Sequence, residues 1–476
     1  MKILILGAGQ VGTSVAEALS SEANDITIID LDREALANLA DRLDIRTLAG
    51  NAAYPSVLRE AGIEDAEMLV AVTQSDQTNL VACKIARNLF HVPTRIARLR
   101  SPDFLSEELL SNDNFAVDYA ICPEQDITDY IIKLIQYPEA LQVLEFADGL
   151  VTLVGVRAYQ GGLLVGKPIH AMRDHLPAGV DARIAAIFRE HQPLDPDGHV
   201  VIEPGDEVFL LAATHHIRPV LKELRRMQEP VTKVMIAGGG NIGARVAAAL
   251  EGNYQVKLVE RSPERARQVA SRFASAIILH GEATDEALLS QAGIDEFDMF
   301  LALTNDDEDN IMSASLAKRL GCKRVLALIN RSAYADMVQG GPIDIGLSPA
   351  QVSIGSLLTH VRRGDVAKVH SLRRGAAEAL ELIANGDKST SKVVDRCIEE
   401  LPKIPGAHIG AIIRRGTEGD VVPRDGFLVD EIRNKVIIPH HDTVIEANDH
   451  VIVFCMRKRQ VTEVEKLFHV AAGFLG

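Results

Sequence analysis

The stretch KILILGAGQVGTSVAEALSSEANDITIID, Lys2 to Asp30, decides the fold. Ile3 to Leu6 is an apolar run that reads as a buried strand. Gly7-x-Gly9-x-x-Gly12 reads as the turn after it, and Val11 to Leu19 as the amphipathic helix that follows. In that pattern Gly7 permits the tight turn, Gly9 lets backbone approach a pyrophosphate, and Gly12 lets the helix pack close to the strand. The N–H groups from Gly7 through Ala8, Gly9 and Gln10 to Val11 then face an anion. A second strand, Ile26 to Ile29, ends in Asp30, where a carboxylate accepts hydrogen bonds from an adenosine ribose and repels a 2′-phosphate. The expected ligand is therefore NAD(H) or an adenine nucleotide, not NADP.

Outward from this stretch the alternation continues. Helices are expected at Arg33 to Leu43, around Val57 and Leu58, and at Asn79 to Phe90; strands at Thr47 to Gly50, Met68 to Thr73, Arg95 to Leu99 and Ala116 to Cys122. Six strands alternating with helices predict a doubly wound parallel sheet, with its crevice beyond the strands' carboxyl ends. That places Thr73, Gln74 and Arg98 with the glycine turn and Asp30. A linker helix near Asp126 to Tyr137 leads to a small α+β module of βαβ type, opened by a hairpin of Gln142 to Phe146 with Val151 to Val156 and closed by a helix from His216 to Met227.

Then the pattern begins again. Val234 to Ala237, Gly238-x-Gly240-x-x-Gly243 (with Gly239, Asn241 and Ile242 between), and a strand ending in Glu260 repeat the opening 230 or 231 positions on. Gly281, Thr304, Asn310 and Arg331 stand 231 positions beyond Gly50, Thr73, Asn79 and Arg100, with Asn305 next to Thr304. Such register implies duplication. The expected layout is a Rossmann domain over 1–125, a linker helix over 126–139 and a small module over 140–228. A second Rossmann domain over 231–350, a linker helix over 351–365 and a second module over 366–470 follow. The last carries an extra stretch near Val421 to Pro439.

Bulk properties exclude several classes. The chain has 476 residues, 47% of them apolar, and a net charge of −16, so it suits three or four packed domains and offers no basic surface for nucleic acid. Its apolar runs fall far short of the roughly twenty residues that span a bilayer, and Met1-Lys2 leads straight into a strand; a cytosolic chain is expected. Cys83, Cys122, Cys322, Cys397 and Cys455 are scattered, as free thiols are in a reducing compartment. Gly161 to Lys167 has P-loop spacing, but Pro168 replaces the hydroxyl that Mg²⁺ needs. His215-His216 and His440-His441, read as neighbours facing opposite sides of an extended strand, are not metal pairs. The acidic run Asn305 to Asn310 reads as a helix cap. No nucleophile-and-base order is evident, so no catalytic residue is expected.

The runs GAGQVG with DITIID, AVTQSDQTNLVA and IARLRSPD, then GGGNIG, LVER, TNDDEDNIMSASLAKR and SLRRG, cover nearly the whole chain. They resemble tandem RCK (KTN) domains, those of the regulatory subunits of Trk potassium uptake. The resemblance implies a cytoplasmic homo-tetrameric ring, peripheral on the inner membrane beneath a TrkH- or TrkG-type channel subunit, that gates potassium uptake in response to NAD(H) or to ATP and ADP. It assigns Gly7 to Gly12, Asp30, Thr73, Gln74 and Arg98 to the first site, and Gly238 to Gly243, Glu260, Thr304 and Asn305 to the second. Ile329 is expected in the place of Arg98, with Arg261 as a substitute cation, so the two sites should differ. The alternative is an NAD-dependent dehydrogenase, which needs a dedicated catalytic domain that two short, similar modules do not offer.

Overall fold

The computed structural model describes residues 1–470 except 21–23, 191, 225–228, 332–333, 335–337, 339–340, 362–365, 374–375, 417–420, 425–426 and 431–433. Its first copy runs β1 (Lys2–Leu6), α1 (Gln10–Ser20), β2 (Asp25–Asp30), α2 (Arg33–Ala40), β3 (Arg46–Ala49), α3 (Pro55–Glu60), β4 (Met68–Ala71), α4 (Asp76–Phe90), β5 (Thr94–Arg98), α5 (Glu107–Leu110), β6 (Tyr119–Ile121) and α6 (Pro123–Gln136). The sheet is parallel, in the order β3-β2-β1-β4-β5-β6. β1 and β4 are buried along almost their whole length, as strands covered on both faces must be. Strand order reverses between β1 and β4, and the glycine turn emerges at that switch point.

The first small module contains β7 (Gln142–Phe146), β8 (Val151–Arg157), α7 (Met172–His175), β9 (Ala182–Arg189), β10 (Gln192–Leu194), β11 (Glu207–Ala213) and α8 (Ile217–Leu224). The predicted hairpin is β7 and β8, turned through Ala147, Asp148 and Gly149, all at positive φ. The βαβ expectation is corrected: the sheet, β10-β9-β11-β8-β7, is antiparallel throughout. Its connections return by hairpins and loops, not by the crossover helix that parallel neighbours require. His215 and His216 are also corrected, lying in a 3₁₀ turn with ring centroids 4.0 Å apart and not on a strand. The helix predicted through Met227 is described to Leu224; 225–228 lie outside the described residues.

The second copy repeats the first as β12 (Lys233–Ala237), α9 (Asn241–Leu250), β13 (Gln255–Glu260), α10 (Pro263–Ala270), β14 (Ile277–His280), α11 (Glu286–Gln291), β15 (Met299–Ala302), α12 (Asp307–Arg319), β16 (Arg324–Leu328), β17 (Ile345–Leu347) and α13 (Pro349–Val361), with the same strand order. The second module adds β18 (Val366–Leu372), β19 (Ala377–Ile383), β20 (Arg396–Cys397), β21 (Ala407–Arg414), β22 (Val421–Arg424), β23 (Phe427–Asp430), β24 (Lys435–Ile437), β25 (Val444–Ile445), β26 (His450–Cys455) and α14 (Lys458–Phe468). Its main sheet, β18-β19-β26-β21-β24, is again antiparallel. The extra stretch contains the hairpin β22–β23; 425–426 and 431–433 within it lie outside the described residues.

These four modules form two compact units: Met1–Ile132 with Val231–Val361, and Lys133–Pro230 with Arg362–Gly476. Like therefore packs with like. In the second unit polar groups tie one small module to the other. Arg373 Nε donates to Glu207 at 2.7 Å, Ala147 N–H donates to the buried Glu381 at 2.9 Å, and Arg183 donates to the carbonyls of Ile409 and Pro439. The His370 ring is bonded to the Glu145 carbonyl oxygen at 2.9 Å.

Two mutational outcomes follow from the first unit's turn. A Cβ on Gly12 would land on the Gly7 carbonyl oxygen, whereas one on Gly9 meets nothing within 4 Å. Gly12→Ala is therefore expected to cost about 3 kcal/mol, and Gly9→Ala less than about 0.5 kcal/mol, in chemical denaturation. In the second unit, burial lowers the imidazoles of His370 and His408 to about 4. The unfolded chain then binds more protons below the ordinary histidine range, so stability falls as pH drops from about 6.5 toward 4. His450 acts oppositely, raised by its hydrogen bond to Glu381, and its contribution is lost as pH rises. Melting temperature is expected to be lower at pH 5 than at pH 7.5, with a smaller difference in His370→Gln.

Candidate functional site

Each glycine turn is held by the acid that ends the next strand. Ala8 N–H donates to Asp30 Oδ2 at 2.5 Å, and Asp32 N–H donates to Asp30 Oδ1 at 2.9 Å. In the second copy Gly239 N–H donates to Glu260 Oε2 and Ser262 N–H to Glu260 Oε1, both at 2.8 Å. One methylene longer, Glu260 makes the same bracket. Each carboxylate oxygen keeps acceptor capacity beyond these bonds.

Across the crevice the turn after β4 is fixed by a residue not assigned a role from sequence. Asn79, fully buried on α4, accepts from Thr73 N–H at 3.0 Å and from its hydroxyl at 2.6 Å, and donates to the carbonyls of Thr73 and Arg98. Asn310 does the same for Thr304 and Leu328. Asp76 accepts from Arg100 and Ser101 N–H; Asp307 accepts from Asn330 and Arg331 N–H. As predicted, the acidic run caps its helix, Asp306 accepting from Asp309 N–H at 2.9 Å. The Asn79–Asn310 repetition was the signal for this latch.

These bonds correct the alignment of the copies. Leu328 takes the position of Arg98, Asn330 that of Arg100, and Arg331 that of Ser101. From Asp307 to the start of β16 at Arg324 the second copy is one residue shorter than the first from Asp76 to Thr94, so register slips to 230 along β16. Ile329 matches Leu99 instead. The contrast in charge persists: Arg98 Nη2 binds Glu124 Oε1 at 2.6 Å, both largely buried, where the second copy has Leu328 and Ala350. Arg98 is thus engaged by Glu124 of α6. Arg261, the other expected cation, lies 3.6 Å from Asp309.

Gly238, Gly240, Glu260, Thr304 and Asn305 line one cavity of about 540 Å³. Gly239 and Asn241 face a neighbouring cavity that Gly240 also reaches, and Ile242 is half-buried on α9. In the first copy Gly7 packs against Thr73, Gly9 is exposed, and Gln10 and Val11 open α1. Gln74 lies beside them, its carbonyl taken by Arg100. The copies also touch at these loops. Gln10 Nε2 donates to Asn330 Oδ1 at 2.7 Å, and Arg245 donates to the Arg100 carbonyl at 2.7 Å and to Gln125 Oε1 at 2.9 Å. Each helix that follows a glycine turn thus holds the other copy's loop after the fifth strand.

No helix among the described residues is long and apolar enough to cross a membrane. Residues 3–123 and 234–349 match the TrkA-N domain family, and residues 153–225 the TrkA-C domain family. The Trk system potassium uptake protein TrkA of Vibrio alginolyticus is 51% identical over 477 residues, covering 100% of both chains. That of Halomonas elongata is 52% identical over 475 residues, again covering 100% of both. Among solved structures, the GsuK channel bound to NAD is similar at a TM-score of 0.58 and 18% identity, over 98% of this chain and 78% of that one, a likeness of fold. The chain belongs to the TrkA family of Trk-system potassium uptake proteins, a family of regulators and not of enzymes.

Proposed function

We propose that the chain is the nucleotide-sensing regulatory subunit of its potassium-uptake system, binding NAD(H) and ATP or ADP in two duplicated crevices and gating a TrkH- or TrkG-type membrane subunit. The observation that carries this is the division of labour among the glycines. Gly7 and Gly12 are closed in by backbone, but a Cβ on Gly9 would meet no protein atom within 4 Å. Gly9 lies at the start of α1, where free N–H groups attract a diphosphate. Gly238, Gly240 and Gly243 repeat the arrangement, with only the far end of Arg265 near Gly240.

Asp30 and Glu260, already oriented by the turns they hold, accept the ribose hydroxyls; Thr73 with Gln74, and Thr304 with Asn305, form the opposite wall. The GsuK channel, which shares the fold, was solved with NAD bound, and this supports a dinucleotide as one ligand. The domain limits proposed are those read from the sequence, with residues 1–125 and 231–350 as the sensing pair and 140–228 and 366–470 as the pair that transmits. The subunit works as a homo-tetrameric ring, peripheral on the cytoplasmic face through its partner. Ligand shifts the ring only insofar as it prefers one arrangement, by a coupling of about 1 to 3 kcal/mol.

Asp30→Ala is expected to weaken nucleotide binding at the first crevice about 10- to 100-fold, the loss of a charge-assisted hydrogen bond, with the second crevice unaffected in calorimetry. Unchanged affinity would sink the role of Asp30. With the partner in proteoliposomes, potassium flux should respond to nucleotide without NADH being consumed; steady oxidation of NADH with a metabolite would favour a dehydrogenase.

A further inference from the structure

The second crevice and the cavity beside it share Gly240 and Arg265. That second cavity, about 930 Å³, lies inside the first compact unit between the two copies. One wall is the first copy's turn after β4 and loop after β5; the other is α9 and α10 of the second copy. Arg100, Arg245, Arg265 and Arg272 line it. The carboxylates that also line it, Asp76, Asp103 and Glu124, are already engaged. Asp76 accepts the N–H groups of Arg100 and Ser101, Asp103 accepts the Ser101 hydroxyl at 3.1 Å, and Glu124 holds Arg98. Four arginines thus face three carboxylates, of which Glu124 is paired with Arg98, and among the described residues no carboxylate pairs with Arg265 or Arg272, so the lining is net positive.

Arg265 is placed where a phosphate contact would be made. Its Nη1 lies 3.8 Å from the site of a Cβ on Gly240, on the anion-facing side of the glycine turn. The corresponding residue of α2 is Ala35. The copies have therefore exchanged cations: the first has Arg98 on β5 and Ala35 on α2, the second Leu328 on β16 and Arg265 on α10.

Resting on the reading that this crevice holds an adenine nucleotide, we infer that Arg265 is its phosphate-binding cation. The crevice then takes a nucleoside di- or triphosphate whose terminal phosphates pass over Gly240 into the arginine-lined cavity. A dinucleotide would have to place there a nicotinamide riboside, neutral or cationic, against the same arginines. Free terminal phosphates carry the complementary charge, and a guanidinium binds them in bidentate fashion.

The test uses the full-length protein with Gly9→Leu, which fills the open space of the first crevice so that calorimetry reads the second. ATP, ADP, AMP and NADH are titrated with Arg265 intact, with Arg265→Ala and with Arg265→Lys. With Arg265 intact, ATP and ADP are expected to bind at least about 10-fold more tightly than NADH. Arg265→Ala should bring that ratio close to one while changing AMP less than about threefold, and Arg265→Lys should restore part of it, since a point charge replaces a fork. An equal loss for all four ligands would mean that Arg265 only supports the fold and would overturn the assignment, as would a ratio that Arg265→Ala leaves unchanged. Failure of the Gly9→Leu protein to bind any of the four would overturn both this assignment and the nucleotide reading beneath it.

Discussion

The hydrogen bond from the glycine turn to the acid at the end of the second strand is the constraint on which the first unit depends. It joins two segments about twenty residues apart in sequence, Ala8 to Asp30 and Gly239 to Glu260. Without it the turn's N–H groups would have no fixed direction. In the proposed function a carboxylate so held is also the ribose acceptor, so folding and recognition would use the same atoms. The buried Asn79 and Asn310 do for the far wall what the acids do for the near one, satisfying both a backbone donor and carbonyls in one side chain.

Duplication supplies the second theme. Sheet order, glycine turn, bracketing acid and asparagine latch recur almost unchanged, whereas the charged residues around them do not. Arg98 with Glu124 is replaced by Leu328 with Ala350, an apolar pair in the same layer. Exchanging a buried ion pair for well-packed apolar groups need not lower stability, so either pair serves the fold. Gln10 with Asn330 and Arg245 with the Arg100 loop then connect each crevice to the other copy.

Much of this was legible in the sequence because it is local. The glycine spacing, the acid at the end of β2 or β13, the duplication and the caps of the helices depend on residues close in the chain. The order of the small sheets was not, since antiparallel return of β11 between β8 and β9 is decided by packing across distant segments. The one-residue slip ahead of β16 was hidden because Arg331 happens to lie 231 positions from Arg100, and only the hydrogen bonds of Asp307 reveal the true register. Arg265 was missed for a related reason: it stands on a helix face, outside any motif, and gains meaning only from its nearness to Gly240.

Packing like with like inside a single chain has a further effect. In a symmetric dimer every substitution appears at both seats, so neither can specialise without altering its twin. Here a covalent tether fixes one copy of each seat per molecule and leaves each free to drift alone. Two seats of differing chemistry are thereby held in a constant one-to-one ratio, with no assembly step needed to bring the unlike halves together.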